Sequence, residues 1–445
     1  MKLELKLKDG LKGIPVVKQY IYLVLFLLIL NCSLNPNSKF WTEEKKIFVD
    51  KSSAPVQLTN KKKSLNEFNQ NFKISIPKNL KAKNNSQLNN DGFINFDASL
   101  EKMSKYNFKT ISSFSNFEPE ILIDKDQLFY FDSNGSIIKF DNNSNVVWKQ
   151  NYYSKQDKKL QPILFFGKSG EDLFVADSIA NFYVINKNTG KLKWKKKHSS
   201  SFNSQIKIFE DKALVIDMEN QLRCFSLETG DLIWSVKTQQ SLLRSQKKQS
   251  LILIDDKVYF SNSIGDVTAV NISGKVIWQT PTQSNVSFGS TYFLKLSDII
   301  SDKKSIFVSN NNNQFFSIDL LSGAINWKQD FSSKVRPAII EDYLVTISDD
   351  GLLIVMNKET GQIVRINDLF KNIKEKRKKK YEPIGFLVGK FYIYISTNNG
   401  RILVVNFKEG KIEKMLKLDN NKLQRPLYFN KSLYIAKDNS IIRLN

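Results

Sequence analysis

The chain has 445 residues, of which 41% are hydrophobic and 12% aromatic, enough to bury a sizeable core. Lys and Arg number 67 against 44 Asp and Glu, a formal charge of +23. That balance fits nucleic acid, an anionic surface or an acidic partner, but the basic residues are spread along a chain rich in Lys, Asn, Ile and Phe, and no nucleic-acid module is present. One histidine, His198, and two cysteines, Cys32 and Cys224, leave almost no room for a disulfide framework, a metal site or a nucleophile–His pair. His198, beside Lys195, Lys196 and Lys197, reads as a solvated strand-end residue.

The first segment carries Lys2, Lys6, Lys8, Lys12 and Lys18 and then an apolar run, Tyr20 to Leu30. Eleven apolar residues match the h-region of a signal peptide and are short for a membrane span. Cys32 follows, and Ile29-Leu30-Asn31-Cys32 resembles the lipobox of bacterial lipoproteins, with Asn31 where a small residue is usual. The expectation is a signal peptide over 1–31 and an acylated Cys32; the alternative is an uncleaved single-pass anchor. Ser33 after the cysteine fits sorting to the outer membrane. Residues 32–97, rich in Lys, Asn, Ser and Gln with little periodicity, read as a flexible tether.

From residue 98 the chain repeats. Four turn-and-strand copies, NTGKLKW, ETGDLIW, SGKVIW and LSGAINW, end in Trp194, Trp234, Trp278 and Trp327, each four residues after Gly190, Gly230, Gly274 or Gly323. An earlier copy ends in Trp148 with Ser144 at the glycine position, and two later ones carry Arg365 and Lys414 in place of tryptophan. These marks are 46, 40, 44, 49, 38 and 49 residues apart, a period that means propeller blades. A short polar residue precedes each turn glycine (Asp141, Asn186, Ser226, Asn271, Asp319, Asn357, Asn406) and can nucleate the turn. Six residues upstream of it stands a residue that tolerates a left-handed backbone, Gly or Asn in all but one repeat, where Ala180 breaks the rule.

Seven turns give seven full blades, and the C-terminal SLYIAKDNSIIRLN supplies an eighth that stops after its third strand, with Asn439 at the left-handed position. An open edge would remain there, and Lys105–Phe114 is the natural donor of the fourth strand. The fold expected is all-β: an eight-bladed β-propeller of four-stranded antiparallel blades over 98–445, its last blade closed by an N-terminal strand. Trp148, Trp194, Trp234, Trp278 and Trp327 then have a structural role, each packing against the neighbouring blade and offering its N–H to a turn carbonyl.

The TGxxxW turn with strands at a period near forty resembles the PQQ-like repeat. Joined to a lipobox, a tether and eight blades, it resembles the BamB family, the lipoprotein subunits of the machine that assembles β-barrels in the bacterial outer membrane. Gln240-Ser241-Leu242-Leu243-Arg244 looks like that family's Leu-x-Leu-Arg loop, and Leu296-Ser297-Asp298-Ile299-Ile300 like its Leu-Ser-Asp-x-Asp loop. Ser241 stands where a leucine is usual and Ile300 where a second acidic residue is usual. The resemblance implies that Leu243, Arg244 and Asp298 meet the POTRA domains of the barrel-forming subunit, that nascent outer-membrane proteins are the clients, and that the chain is a monomer within a hetero-complex, lipid-anchored on the periplasmic face of the outer membrane. It implies no catalytic residue, cofactor or metal, and no nucleic-acid partner.

Two other readings compete. The repeat is shared with quinoprotein dehydrogenases, which usually carry vicinal cysteines, and this chain has none. The basic run 371–380, KNIKEKRKKK, would suit a propeller that binds anionic lipid or another ligand.

Overall fold

The computed structural model describes residues 65–70, 72, 94, 96–115, 119–238, 247–283 and 296–445. They form eight four-stranded antiparallel sheets. Seven follow one another along the chain with their strands in sequence order, at 122–150, 164–197, 207–237, 251–281, 300–329, 338–368 and 383–417; they are called blades 1 to 7 here. In blade 8 the strands Leu427–Phe429, Ser432–Lys437 and Ser440–Leu444 are completed on the outside by Lys102–Asn107. The eight-bladed ring closed by an N-terminal strand is therefore present. The closing strand starts three residues earlier than Lys105, and Ser112–Ser115, inside the expected strand, is a turn of 3-10 helix.

The middle strands of each blade are apolar on both faces because each sheet lies between two others. Leu173–Ala176 and Phe182–Ile185 of blade 2 are buried at every position. The outer strand Leu192–Lys197 is exposed or half-buried throughout.

The turn between second and third strands explains the left-handed residues. Gly135, Ala180, Asn220, Gly265, Asn313, Gly351 and Gly400 all have positive φ, Ala180 at 70° despite its side chain. Asn439 does not; the last hairpin closes with the two residues Asp438 and Asn439 between paired Lys437 and Ser440. Three residues before each left-handed position stands a short polar side chain: Asp132, Asp177, Asp217, Asn262, Asn310, Ser348 and Thr397. Asp177 Oδ1, for example, accepts from the Ile179 and Asn181 amides at 2.9 and 2.7 Å, so a turn closed off from solvent has its donors satisfied.

Blades are joined by the tryptophans. Trp148, Trp234, Trp278 and Trp327 donate from Nε1 to the carbonyls of Asn188, Ile272, Leu320 and Lys358 in the next blade, at 3.0–3.1 Å. The rings cover the turn glycines, Trp194 doing so at Gly230. In blade 6 the buried Arg365 takes this place, donating to the carbonyls of Phe407 (2.7 Å) and Lys408 (3.1 Å) in blade 7. At the ring closure the ring of Tyr106 stacks edge-on against Phe140 of blade 1.

Part of the segment read as tether lies on the propeller. Phe68 exchanges backbone hydrogen bonds with Ile366 on the outer edge of blade 6, at 3.1 and 2.9 Å. Glu67 pairs with Lys371 at 2.6 Å, and Phe72 packs edge-on against Tyr343. Leu65 and Phe72 pack apolar surface against the propeller while the Phe68 backbone pairs an edge strand, which the low hydrophobicity of the whole segment concealed. Asp97 accepts from the Phe391 amide at 3.0 Å on blade 7.

His198 is half-buried rather than solvated: its ring lies 4.7 Å from Phe225 and 5.7 Å from Phe202. Burial, helped by Arg223, lowers its pKa. Cys224 is buried in the core of blade 3, and burial pushes its thiol up to about 12.

Candidate functional site

Residues on or just ahead of the eight innermost strands line a central channel of about 440 Å³. Because each innermost strand starts where the chain arrives from the previous blade, residues just ahead of these strands gather at one mouth. Glu120, Asp298, Arg336 and Arg425 each stand two residues before such a strand, Lys248 three before one, and Lys207 begins one. All six line the channel, against walls made by Ile121, Ile206, Ile299 and Ile384.

The electrostatics at this mouth are strong because two of the cations are withdrawn from water and the other charged groups are half-buried. Lys207 is 5% exposed and Lys248 7%. Lys248 is ion-paired with Glu120. Burial lowers the Lys207 ammonium to about 8; Glu120 and Asp298 favour its charge while Arg336 and Lys248 oppose it. Burial alone would raise Asp298, but Lys248, Lys247, Arg336 and Arg425 outweigh it and bring the carboxyl down to about 2. Asp298 is thus ionised and placed among cations. At the far end Asp124 accepts from Lys168 at 2.6 Å and Lys187 at 2.5 Å, which outweigh its burial and lower its pKa.

The same mouth carries the feet of two inter-blade loops. Lys247, where blade 4 is entered, donates through Nζ to the Leu296 carbonyl at the entry to blade 5. The Ile299 amide donates to Ser250 Oγ at 3.0 Å, and the Gln249 amide to the Asn203 carbonyl at 2.8 Å. Of the residues singled out as partner contacts, Asp298 stands at this mouth, while Leu243 and Arg244 lie outside the described residues, as does Cys32. The channel-mouth cations Lys207, Lys248, Arg336 and Arg425 were not singled out in the sequence. Their signal is a charged residue recurring just ahead of an innermost strand, visible only once the repeats are aligned on those strands rather than on the tryptophans. Among the described residues no three His, Cys, Asp or Glu side chains come together as a metal site.

The family model described as outer membrane protein assembly factor BamB matches residues 133–367, just over half of the chain. The chain belongs to this BamB-like family of PQQ-repeat propellers. An uncharacterized protein of Rickettsia prowazekii is 21% identical over 398 residues, 75% of this chain and 94% of that protein. The outer membrane protein assembly factor BamB of Shewanella oneidensis is 23% identical over 155 residues, 34% of this chain and 36% of that protein. Among solved structures, BamB from Moraxella catarrhalis superposes with a TM-score of 0.64 at 15% identity, covering 78% of this chain and all (100%) of that one. A europium-containing methanol dehydrogenase superposes at 0.59 with 12% identity, covering 76% of this chain and 85% of that one. At these identities the structural likenesses establish the shared propeller; the BamB-like family rests on the sequence match.

Proposed function

We propose that this BamB-like propeller is a non-catalytic scaffold of outer-membrane β-barrel assembly. In this reading the chain is exported by its N-terminal signal and held by an acylated Cys32 on the periplasmic face of the outer membrane. The face bearing the channel mouth meets the POTRA domains of the barrel-forming subunit, and unfolded outer-membrane proteins are handled by the assembled machine. The observation that carries the reading is the Lys247–Leu296 bond, which joins the feet of the two loops whose sequences resemble the family's contact loops. Arg244 and Asp298 on adjacent loops address a partner of mixed charge, with apolar neighbours such as Leu243 excluding water. A membrane anchor raises the local concentration of both partners, so that a weak contact suffices.

Placement of the reactive side chains favours binding over chemistry. His198 is enclosed by Phe182, Phe202 and Phe225, Cys224 by the blade 3 core, and neither lines the channel.

The test is a mild-detergent pull-down of the C-terminally tagged chain from envelope fractions, with mass spectrometry. Recovery of a barrel protein with POTRA domains, reduced by Arg244→Glu while thermal unfolding is unchanged, supports the scaffold. Recovery of the propeller alone, correctly localised and folded, overturns it.

A further inference from the structure

Charge at the channel mouth is unbalanced. Among the described residues Lys207, Lys248, Arg336 and Arg425 place four cations around the two carboxylates of Glu120 and Asp298 at this mouth, an excess of 4 − 2 = 2, and Lys125 and Lys168 line the same cavity. The imbalance lies between apolar walls, where low polarity strengthens every charge interaction. Arg336 Nε is buried and has no hydrogen-bond acceptor. A guanidinium cannot relieve that burial by losing a proton. Gln249, whose Nε2 donates to Asn220 Oδ1 at 2.7 Å, leaves its Oε1 buried and without a donor. Both side chains line the cavity, and buried polar atoms left without partners call for an explanation. Burial is the main cause of the lowered Lys207 ammonium, and repulsion by Arg336 and Lys248 adds to it, a part that a bound negative charge would offset.

We propose that the mouth of the channel is a binding site for a small polyanion carrying phosphate or carboxylate groups, with Arg336 and Arg425 as its principal ligands and Lys207 and Lys248 completing the charge. The cavity of about 440 Å³ falls within the range of small-molecule sites, roughly 300–1,000 Å³, and is too small for a folded partner. The proposal does not rest on the scaffold reading, although Asp298 enters both: it lines the cavity here and addresses the partner there.

The experiment is calorimetric titration of the full-length protein in detergent, at about 50 mM salt so that screening is weak, with two probes, citrate and inorganic pyrophosphate. Saturable one-site binding of either is expected. Binding of pyrophosphate alone assigns a phosphate ligand, and of citrate alone a carboxylate. Arg336→Gln and Arg425→Gln should each weaken binding about tenfold or more, as loss of a charge-assisted bond predicts. Lys411→Gln, the same charge change on the exposed outer strand of blade 7, should leave it unchanged. As a check free of variants, the bound anion should raise the unfolding temperature of the unaltered protein where chloride of equal ionic strength does not. No saturable binding of either probe up to about 10 mM, or an equal loss in Lys411→Gln, overturns the site.

Discussion

Trp327 of blade 5 covers Gly361 of blade 6: a methyl group on Gly361 would stand 2.5 Å from Cδ2 of the indole, while Nε1 of the same ring donates to the Lys358 carbonyl at 3.0 Å. One side chain therefore both fills the space over the turn and caps its open carbonyl. It can do so only because the turn residue has no side chain and a φ of 72°.

Gly361→Ala should accordingly lower stability by about 2–4 kcal/mol, a left-handed alanine adding to an overlap with the ring. Gly170→Ala is the control: φ there is 52°, but nothing lies within 4 Å of the added carbon, so only the backbone cost of about 1–2 kcal/mol remains. Denaturant unfolding of both variants decides; equal losses would remove the indole contact as the cause.

Arg365 occupies the tryptophan position of blade 6 and is buried, which brings its pKa down to about 10. Its guanidinium donates to the carbonyls of Phe407, Lys408 and Phe72. Arg365→Ala should cost about 2–4 kcal/mol by leaving those acceptors open. Arg365→Trp should recover much of the loss at the blade 6–blade 7 joint, as tryptophan does in blades 1, 3, 4 and 5. Thermal unfolding in which the tryptophan variant is no better than alanine would show that the joint needs the cation itself.

The channel mouth gives a pH signature. Lys207, facing Glu120, Asp298, Arg336 and Lys248, has its pKa lowered from 10.5 to about 8 in the folded chain. Below about 8 the group is protonated folded and unfolded, and its burial penalty is fully present. Between about 8 and 10.5 the unfolded chain binds more proton, so this group's contribution to stability rises with pH. Denaturation midpoints of the unaltered protein should rise relative to Lys207→Met across that interval; parallel curves would contradict the assignment.

The segment at 65–72 should be a cleavage-protected strap. Its backbone pairing is two bonds, the Phe68 amide donating to the Ile366 carbonyl and the Ile366 amide to the Phe68 carbonyl. Phe68→Pro removes that donor and should speed limited proteolysis N-terminal to the propeller while leaving its unfolding temperature within about 2 °C. Lys371→Ala, which removes only the exposed pair with Glu67, should change little, within about 0.5 kcal/mol. Equal protease resistance in the proline variant would show that the strap is held by side chains.

Much of the architecture was legible because it is written in every repeat. The turn glycines, the short polar residues before them and the left-handed positions recur at fixed offsets, and each is fixed by local backbone geometry. The polar residues at Asp132, Asp177, Asp217, Asn262, Asn310, Ser348 and Thr397 were equally periodic and went unread, for want of aligning on the second turn. His198 was misread because charged neighbours in sequence say nothing about Phe202 and Phe225, which reach it from adjoining strands.

The sequence by itself determined the blade, its number and the need for an N-terminal closing strand, since these follow from period and from an unfinished last repeat. Tertiary structure alone decided what the ring brings together. Lys207, Lys248, Asp298, Arg336 and Arg425 come from different blades and meet because the innermost strands all start at one mouth. Residues 65–72 find blade 6 because an outer edge with open amides is available there. The strap leaves no periodic trace; the channel-mouth charges recur ahead of the innermost strands, but their meeting exists only once the ring has closed.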